Sequence, residues 1–63
     1  MDIEKKVVDI LEINDGQLAL TKMAIELGVG YYKFKLEVVP ELIQKGVISL
    51  KQHKSFTYVT LNQ

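Results

Sequence analysis

The sequence predicts a small α+β fold in which three helices are followed by a two-stranded β-hairpin. Apolar residues recur at helical spacing in residues 2–13 and again in residues 20–27. Glycines with polar neighbours separate these segments from the rest of the chain. After residue 47, apolar and polar residues alternate in two runs on either side of a polar tip, which is the pattern of a hairpin.

The first segment predicts an amphipathic helix over about residues 2–13. Ile3, Val7 and Leu11 fall on one face of such a helix. The Asp2 side chain can accept a hydrogen bond from a backbone N–H of the first turn, so it is the expected N-cap. The Asn-Asp-Gly sequence that follows is typical of a helix end.

A second, shorter helix is predicted over about residues 21–28. Thr21 is the expected N-cap, and Gly28 is the expected C-terminal stop. Ile25 falls outside the apolar stripe of this helix. Residues 17–20, just before it, are short and extended, and their pairing with the hairpin is open. The stripe itself consists of Leu20, Met23, Ala24 and Leu27.

Two interpretations compete for about residues 30–46. Phe34, Val38 and Leu42 share one face of a helix, but residues 32–38 also alternate between apolar and charged side chains, as a strand would. Pro40 would kink a continuous helix, whereas it suits the first turn of a new one. We favour a helix bent at Pro40, because a Gly-Val-Gly turn precedes the segment and Lys-Gly-Val-Ile follows it.

The last segment, about residues 47–62, predicts a β-hairpin. Ile48 and Leu50 alternate with Ser49 and Lys51 in its first strand, and the return strand runs over residues 55–61. Residues 52–55 are polar and suit the tip.

Composition and charge narrow the classes of function. The 63 residues make one small domain, 48% hydrophobic, with no Cys and one His. No catalytic set, metal site or phosphate loop can be assembled, so we expect no enzyme, no cofactor and no small-molecule substrate. No apolar run approaches the roughly 20 residues of a membrane span. We therefore expect a cytoplasmic protein without a membrane partner.

The net charge is zero, but it is unevenly distributed. Residues 1–15 carry five acidic side chains against two lysines, a net of −3, and residues 16–63 carry six lysines against three glutamates, a net of +3. This asymmetry suits a basic binding face, and ordinary surface scatter is the alternative. The chain has no Arg, so bidentate reading of guanine by that side chain is excluded.

From Leu18 onward the chain resembles the winged helix–turn–helix family of small DNA-binding domains. The resemblance lies in the order of elements and the apolar spacing over some forty-five residues: the segment 20–29, the Lys-Gly-Val-Ile turn and the run from Ser49 to Leu61. It implies that the third helix enters the major groove with its first turn, while the hairpin, as a wing, lies over the backbone or minor groove.

The resemblance also implies which residues contact double-stranded DNA. Thr21 and Lys22 would contact phosphates at the start of the second helix. The groove-facing residues would come from the start of the third helix, with Leu36 and Glu37 less securely assigned, and the remaining contacts would come from the wing. The full set is Thr21, Lys22, Gly30, Tyr31, Tyr32, Lys33, Lys51, His53, Lys54 and Ser55.

The presence of each of these residues can also be explained without DNA contact. The tyrosines can be core or interface residues, the lysines can be ordinary solvated side chains, and His53 can be plain surface rather than a pH switch. Glu37 and Glu41 would repel phosphate. The leading hypothesis is a small transcriptional regulator that binds DNA as a homodimer. The alternative is a winged-helix protein-interaction module, an accessory subunit of a nucleic-acid-processing complex, which the surplus apolar side chains of the third helix favour.

Overall fold

The computed structural model describes residues 2–62, and within them three helices pack against a three-stranded antiparallel sheet. Met1 and Gln63, the ends of the predicted domain, lie outside the described residues. The third helix, α3, covers residues 31–44 and is formed by three consecutive helical segments. In chain order the other elements are α1 (Ile3–Ile13), β1 (Gln17–Ala19), α2 (Leu20–Leu27), β2 (Ile48–His53) and β3 (Phe56–Leu61).

Helix α1 begins and ends as the sequence predicts. The Asp2 carboxylate accepts a hydrogen bond from the Glu4 backbone N–H at 3.1 Å. At the other end, Asn14 caps the helix, and the left-handed residues Asp15 (φ 63°) and Gly16 (φ 84°) turn the chain back. The predicted amphipathic helix and its N-cap are confirmed.

Helix α2 starts one residue earlier than predicted, and the expected cap is wrong. Ala19 is the N-cap and makes no side-chain capping hydrogen bond, because β1 runs directly into the helix at Leu20. Thr21 therefore lies inside the first turn. Gly28 ends the helix in the left-handed conformation (φ 70°), as expected. Ile25 is 75% exposed and lies off the buried stripe.

The strand interpretation of residues 31–38 is wrong, because this stretch is helical. Phe34 is completely buried and Leu36 is 67% exposed, whereas a strand would place both on one face. The α-helical segment Tyr31–Lys33 is followed by the π-helical segment Phe34–Val38 and then by the α-helical segment Val39–Gln44.

The π-helical segment explains how a helix continues past Pro40. In a regular helix the proline ring would meet the carbonyl of Leu36, and it has no N–H to donate. The wider π-turn ends just before the proline, with the Val39 N–H donating to the Phe34 carbonyl five residues back. Pro40 then occupies the first turn of the following α-helical segment, and the helix does not end there.

The sheet has one strand more than the predicted two-stranded wing. The hairpin of β2 and β3 is present, but β1 pairs antiparallel with the other side of β3, giving the order β1-β3-β2. The extended segment before α2 thus supplies the third strand. A hydrogen bond of 2.8 Å from the Leu61 N–H to the Gly16 carbonyl continues this pairing.

The helices cover one face of the sheet. Leu18, Val59 and Leu50 face one another across the three strands by their register, and the core lies on this side. No helix of the described residues is long and apolar enough to cross a membrane. The buried core consists of Val7, Leu11, Leu20, Met23, Ala24, Phe34, Val39, Leu42, Ile48 and Val59.

Candidate nucleic-acid interface

A groove of about 130 Å³ lies where the start of α2, the start of α3 and the hairpin meet. Three of the residues that the sequence assigns to DNA contact line it, one from each element: Thr21, Tyr31 and Ser55. These residues are up to 34 positions apart in sequence. The fold therefore brings together the three segments that the resemblance singles out. The groove is completed by Ala19, Leu20, Phe56 and Thr57.

The first turn of α3 places an aromatic pair at this groove. Gly30 is extended and directly precedes the helix. The rings of Tyr31 and Tyr32 lie edge to face, with centroids 5.3 Å apart. Tyr31 is half-buried, whereas Tyr32 is 71% exposed, so only the second ring is free to reach a partner outside the groove.

Lys35 joins this group, although it is not among the residues that the sequence predicts for the site. Its Nζ lies 5.8 Å from the centroid of the Tyr31 ring. A cation over a ring face is attracted by the ring quadrupole. The spacing of four residues, which makes side chains neighbours on a helix, is the sequence signal that points to this contact.

The hairpin tip holds a lysine in a backbone conformation that favours glycine. His53 and Phe56 are the last paired residues, so Lys54 and Ser55 alone form the turn. Lys54 has φ 57°, which costs a residue with a Cβ roughly 1–2 kcal/mol. A positive charge is thus retained at the tip where a glycine would fit the backbone better.

The remaining predicted residues do not line the groove, and all of them are exposed. Four of them are lysines that make no ion pair with any residue in 2–62, and the side chains of His53 and Tyr32 are also exposed. No acidic side chain occurs after Glu41 in the sequence. The predicted contact residues therefore carry only positive formal charge, although the chain as a whole is neutral. The four lysines are Lys22, Lys33, Lys51 and Lys54.

Lys45 differs from these four lysines because carboxylates neutralise it. Its Nζ lies 3.3 Å from Glu4 Oε1 and 3.8 Å from Glu41 Oε1, which ties the end of α3 to the start of α1. The hydrogen bond to Glu4, with the charges of Glu4 and Glu41, raises the pKa of Lys45 above its ordinary value of 10.5. Lys45 is therefore a structural contact rather than one of the predicted contact residues.

Phe56, like Lys35, belongs to the site but is not predicted from the sequence. It lines the groove and is 61% exposed, because β3 extends beyond the end of β1 and no strand covers that side. Alternation along β3 places its side chain on the face opposite the core, but alternation alone does not show that this face is open. Its position next to a polar tip is the only signal in the sequence.

The described residues form no metal site at the groove. Within residues 2–62, no three side chains of His, Asp or Glu lie close enough together to hold a metal ion. A second cavity, of about 170 Å³, is lined by Ile3, Lys6, Leu27 and Val29, none of which belongs to the groove.

Comparison of the chain with protein-family models, with curated proteins and with solved structures found no match. The partner of the protein is therefore inferred from its own residues.

Proposed function

We propose that this protein is a winged-helix DNA-binding protein, a small cytoplasmic transcriptional regulator that contacts duplex DNA through the start of α3 and the hairpin wing. The observation that carries the proposal is the groove at which Thr21, Tyr31 and Ser55 meet, because the same three segments carry four exposed lysines that make no ion pair within residues 2–62. Phosphates along a duplex attract such a surface by counterion release, whatever the base sequence.

The geometry favours contact by the first turn of α3 rather than by its whole length. Tyr32 and Lys33 are exposed on that turn, next to the groove. Glu37 and Glu41 are exposed on the later turns, where they would repel phosphate. A major groove about 12 Å wide admits a helix end in this orientation. Lysine ammonium groups then hold the phosphates, and the tyrosines contact base edges or sugars.

The hairpin supplies the second contact. Lys54 stands at the tip and Lys51 is exposed on the outer side of β2, so both can contact a phosphate backbone that passes along the hairpin. Thr21 and Lys22, at the start of α2, complete the phosphate contacts on the other side of the groove. Three segments of chain then hold one duplex.

A titration of fluorescent mixed-sequence duplex at low salt tests this proposal. We expect binding at or tighter than the non-specific range of about 10⁻⁴ to 10⁻⁶ M, weakened by Lys33→Ala and by Lys54→Ala. Lys5→Ala is the matched control, because Lys5 is exposed on α1 and pairs only with Asp9, at 3.7 Å, among the described residues. The absence of duplex binding in this range, or an equal loss in the control, would contradict the proposal.

A second candidate function is a protein-interaction module, either a homodimer or an accessory subunit of a nucleic-acid-processing complex. The observation that favours it is the exposure of large apolar side chains on α2 and α3: Ile25 (75%), Tyr32 (71%) and Leu36 (67%). Sedimentation of the wild type and of Leu36→Ser tests self-association. A monomer at every concentration, together with no salt-resistant complex in a native pull-down, would rule this function out.

A further inference from the structure

The outer face of the sheet, opposite the helices, is open, and the proposed duplex contact reaches it only at its hairpin end, through Lys51 and the groove edge at Phe56. The strand register places Phe56, Tyr58 and Thr60 of β3 on the face opposite buried Val59. Phe56 is 61% exposed and Tyr58 is half-buried, and the helices pack on the other side. Two aromatic rings therefore stand two residues apart, about 7 Å, along the central strand of an uncovered face.

A lysine and a histidine flank these rings in the neighbouring strand. Lys51 is paired with Tyr58 and His53 with Phe56, so each aromatic has a basic neighbour on the same face. Lys54 follows at the tip. No Asp or Glu occurs in β1, in β2 or in β3. The face is thus aromatic and free of negative side chains, which complements a polyanion.

From this juxtaposition we infer that the outer face of the sheet binds unpaired nucleotides, with bases stacked on Phe56 and Tyr58 and the phosphates held by Lys51 and Lys54. The rings gain little from a duplex, whose base faces are already stacked on one another. In a single strand the base faces are free, and stacking on an aromatic side chain tolerates any base. A second copy of this chain is a poor occupant, because stacking two such faces would bring their basic side chains together.

This inference goes beyond the proposed duplex contact, since it uses the outer face of the sheet and the stacking of unpaired bases. The two contacts share the wing lysines and Phe56, which also lines the groove. It identifies the ligand by its unpaired bases and phosphodiester backbone. Both DNA and RNA single strands carry that chemistry, so short oligothymidylate and short oligouridylate are both used as probes beside a blunt duplex.

Phe56→Ala is the principal variant, because a side chain that is 61% exposed can be removed without opening the core. We expect it to weaken binding of both single strands by at least about fivefold, the lower end of the range for losing one stacked base, and to weaken duplex binding clearly less, because Phe56 only borders the groove of the duplex contact. Phe56→Tyr, which keeps the ring, should restore binding. Tyr32→Ala is the matched control, an exposed aromatic on α3 whose loss should weaken the duplex and spare the single strands.

Phe56→Trp gives a second readout, because the chain has no other tryptophan. We expect oligothymidylate, by stacking on the ring, to quench its fluorescence more strongly than the duplex does. A failure of single strands to bind, or an equal loss for single strands and duplex in Phe56→Ala, would overturn the inference. If single strands bind through Phe56 but the duplex does not bind at all, the inference stands and the proposed duplex function fails.

Discussion

Phe34 and Leu36 offer the sharpest test of the helix that would carry the DNA contact. The two residues are two positions apart, so a strand would give them the same environment. In the structure Phe34 is completely buried in the core and Leu36 is 67% exposed. Truncating a buried Phe to Ala costs about 3–5 kcal/mol, whereas an exposed side chain away from special features contributes within about 0.5 kcal/mol.

The predicted effects are large on the scale of the whole domain. At 0.05–0.15 kcal/mol per residue, a chain of 63 residues has a free energy of unfolding of about 3–9 kcal/mol. Phe34→Ala is therefore expected to remove between about a third and all of that stability, and Leu36→Ala very little of it. Phe34→Leu, which retains part of the buried surface, serves where the alanine variant does not fold.

Urea unfolding followed by circular dichroism measures these differences. We expect the midpoint of Phe34→Leu to fall well below that of the wild type and the midpoint of Leu36→Ala to stay close to it. Equal destabilisation by substitutions at both positions would mean that the segment has strand periodicity and would refute the helical structure.

Three further effects are expected. Because the folded state raises the pKa of Lys45, the stabilisation from its contact with Glu4 is fully present below pH 10.5 and is lost as the pH rises through the raised value. The difference in thermal midpoint between wild type and Lys45→Met should therefore be present at neutral pH and vanish well above pH 10.5. A difference that stays constant with pH would contradict this. If Lys22, Lys33, Lys51 and Lys54 each neutralise one phosphate, the logarithm of the duplex binding constant should fall against the logarithm of the salt concentration with a slope of about −3.6. Lys33→Ala should lower the magnitude of this slope by about 0.9, and an unchanged slope would show that Lys33 does not contact a phosphate. Lys54→Gly should leave the free energy of unfolding unchanged or raise it by up to about 1 kcal/mol, because glycine adopts the positive φ of this position without strain. The same variant should weaken duplex binding. A clear loss of stability in urea unfolding would show instead that the lysine side chain stabilises the fold.

The helix ends are predictable from the sequence because they depend on neighbouring residues. Asp2 caps α1 from two positions away, and Gly28 ends α2 by a conformation that its missing Cβ allows. The start of α2 is the exception. Thr21 has the side chain of an N-cap, but β1 pairs with β3 through Ala19 and fixes the boundary one residue earlier.

The remaining elements depend on contacts that are distant in sequence or irregular in period. A strand of three residues is too short to show alternation, so the sequence indicates only an extended segment before α2. Its pairing with residues 58–60 in the structure identifies it as the strand β1. In α3 the π-turn puts Phe34 and Val39, five residues apart, both in the core. Neither a period of two nor a period of 3.6 describes that spacing, and the sequence therefore supports both interpretations.

The candidate site was only partly predictable for a similar reason. The lysines and tyrosines are predicted from residue type and element order, whereas the proximity of Thr21, Tyr31 and Ser55 depends on the fold. Phe56 belongs to a strand whose alternation is clear, but its exposure follows from where β1 ends. Exposure of that kind is set by the length of a neighbouring strand and cannot be read from the pattern of β3 itself.

Amide chemical-shift mapping with a short mixed-sequence duplex tests the central proposal most directly. We expect the largest shifts at Thr21 and Lys22, in residues 30–33 and in residues 51–55, with little change along α1. Shifts confined to α1, or to the surroundings of Ile25 and Leu36, would contradict duplex binding at the groove, as would unchanged spectra at high duplex concentration.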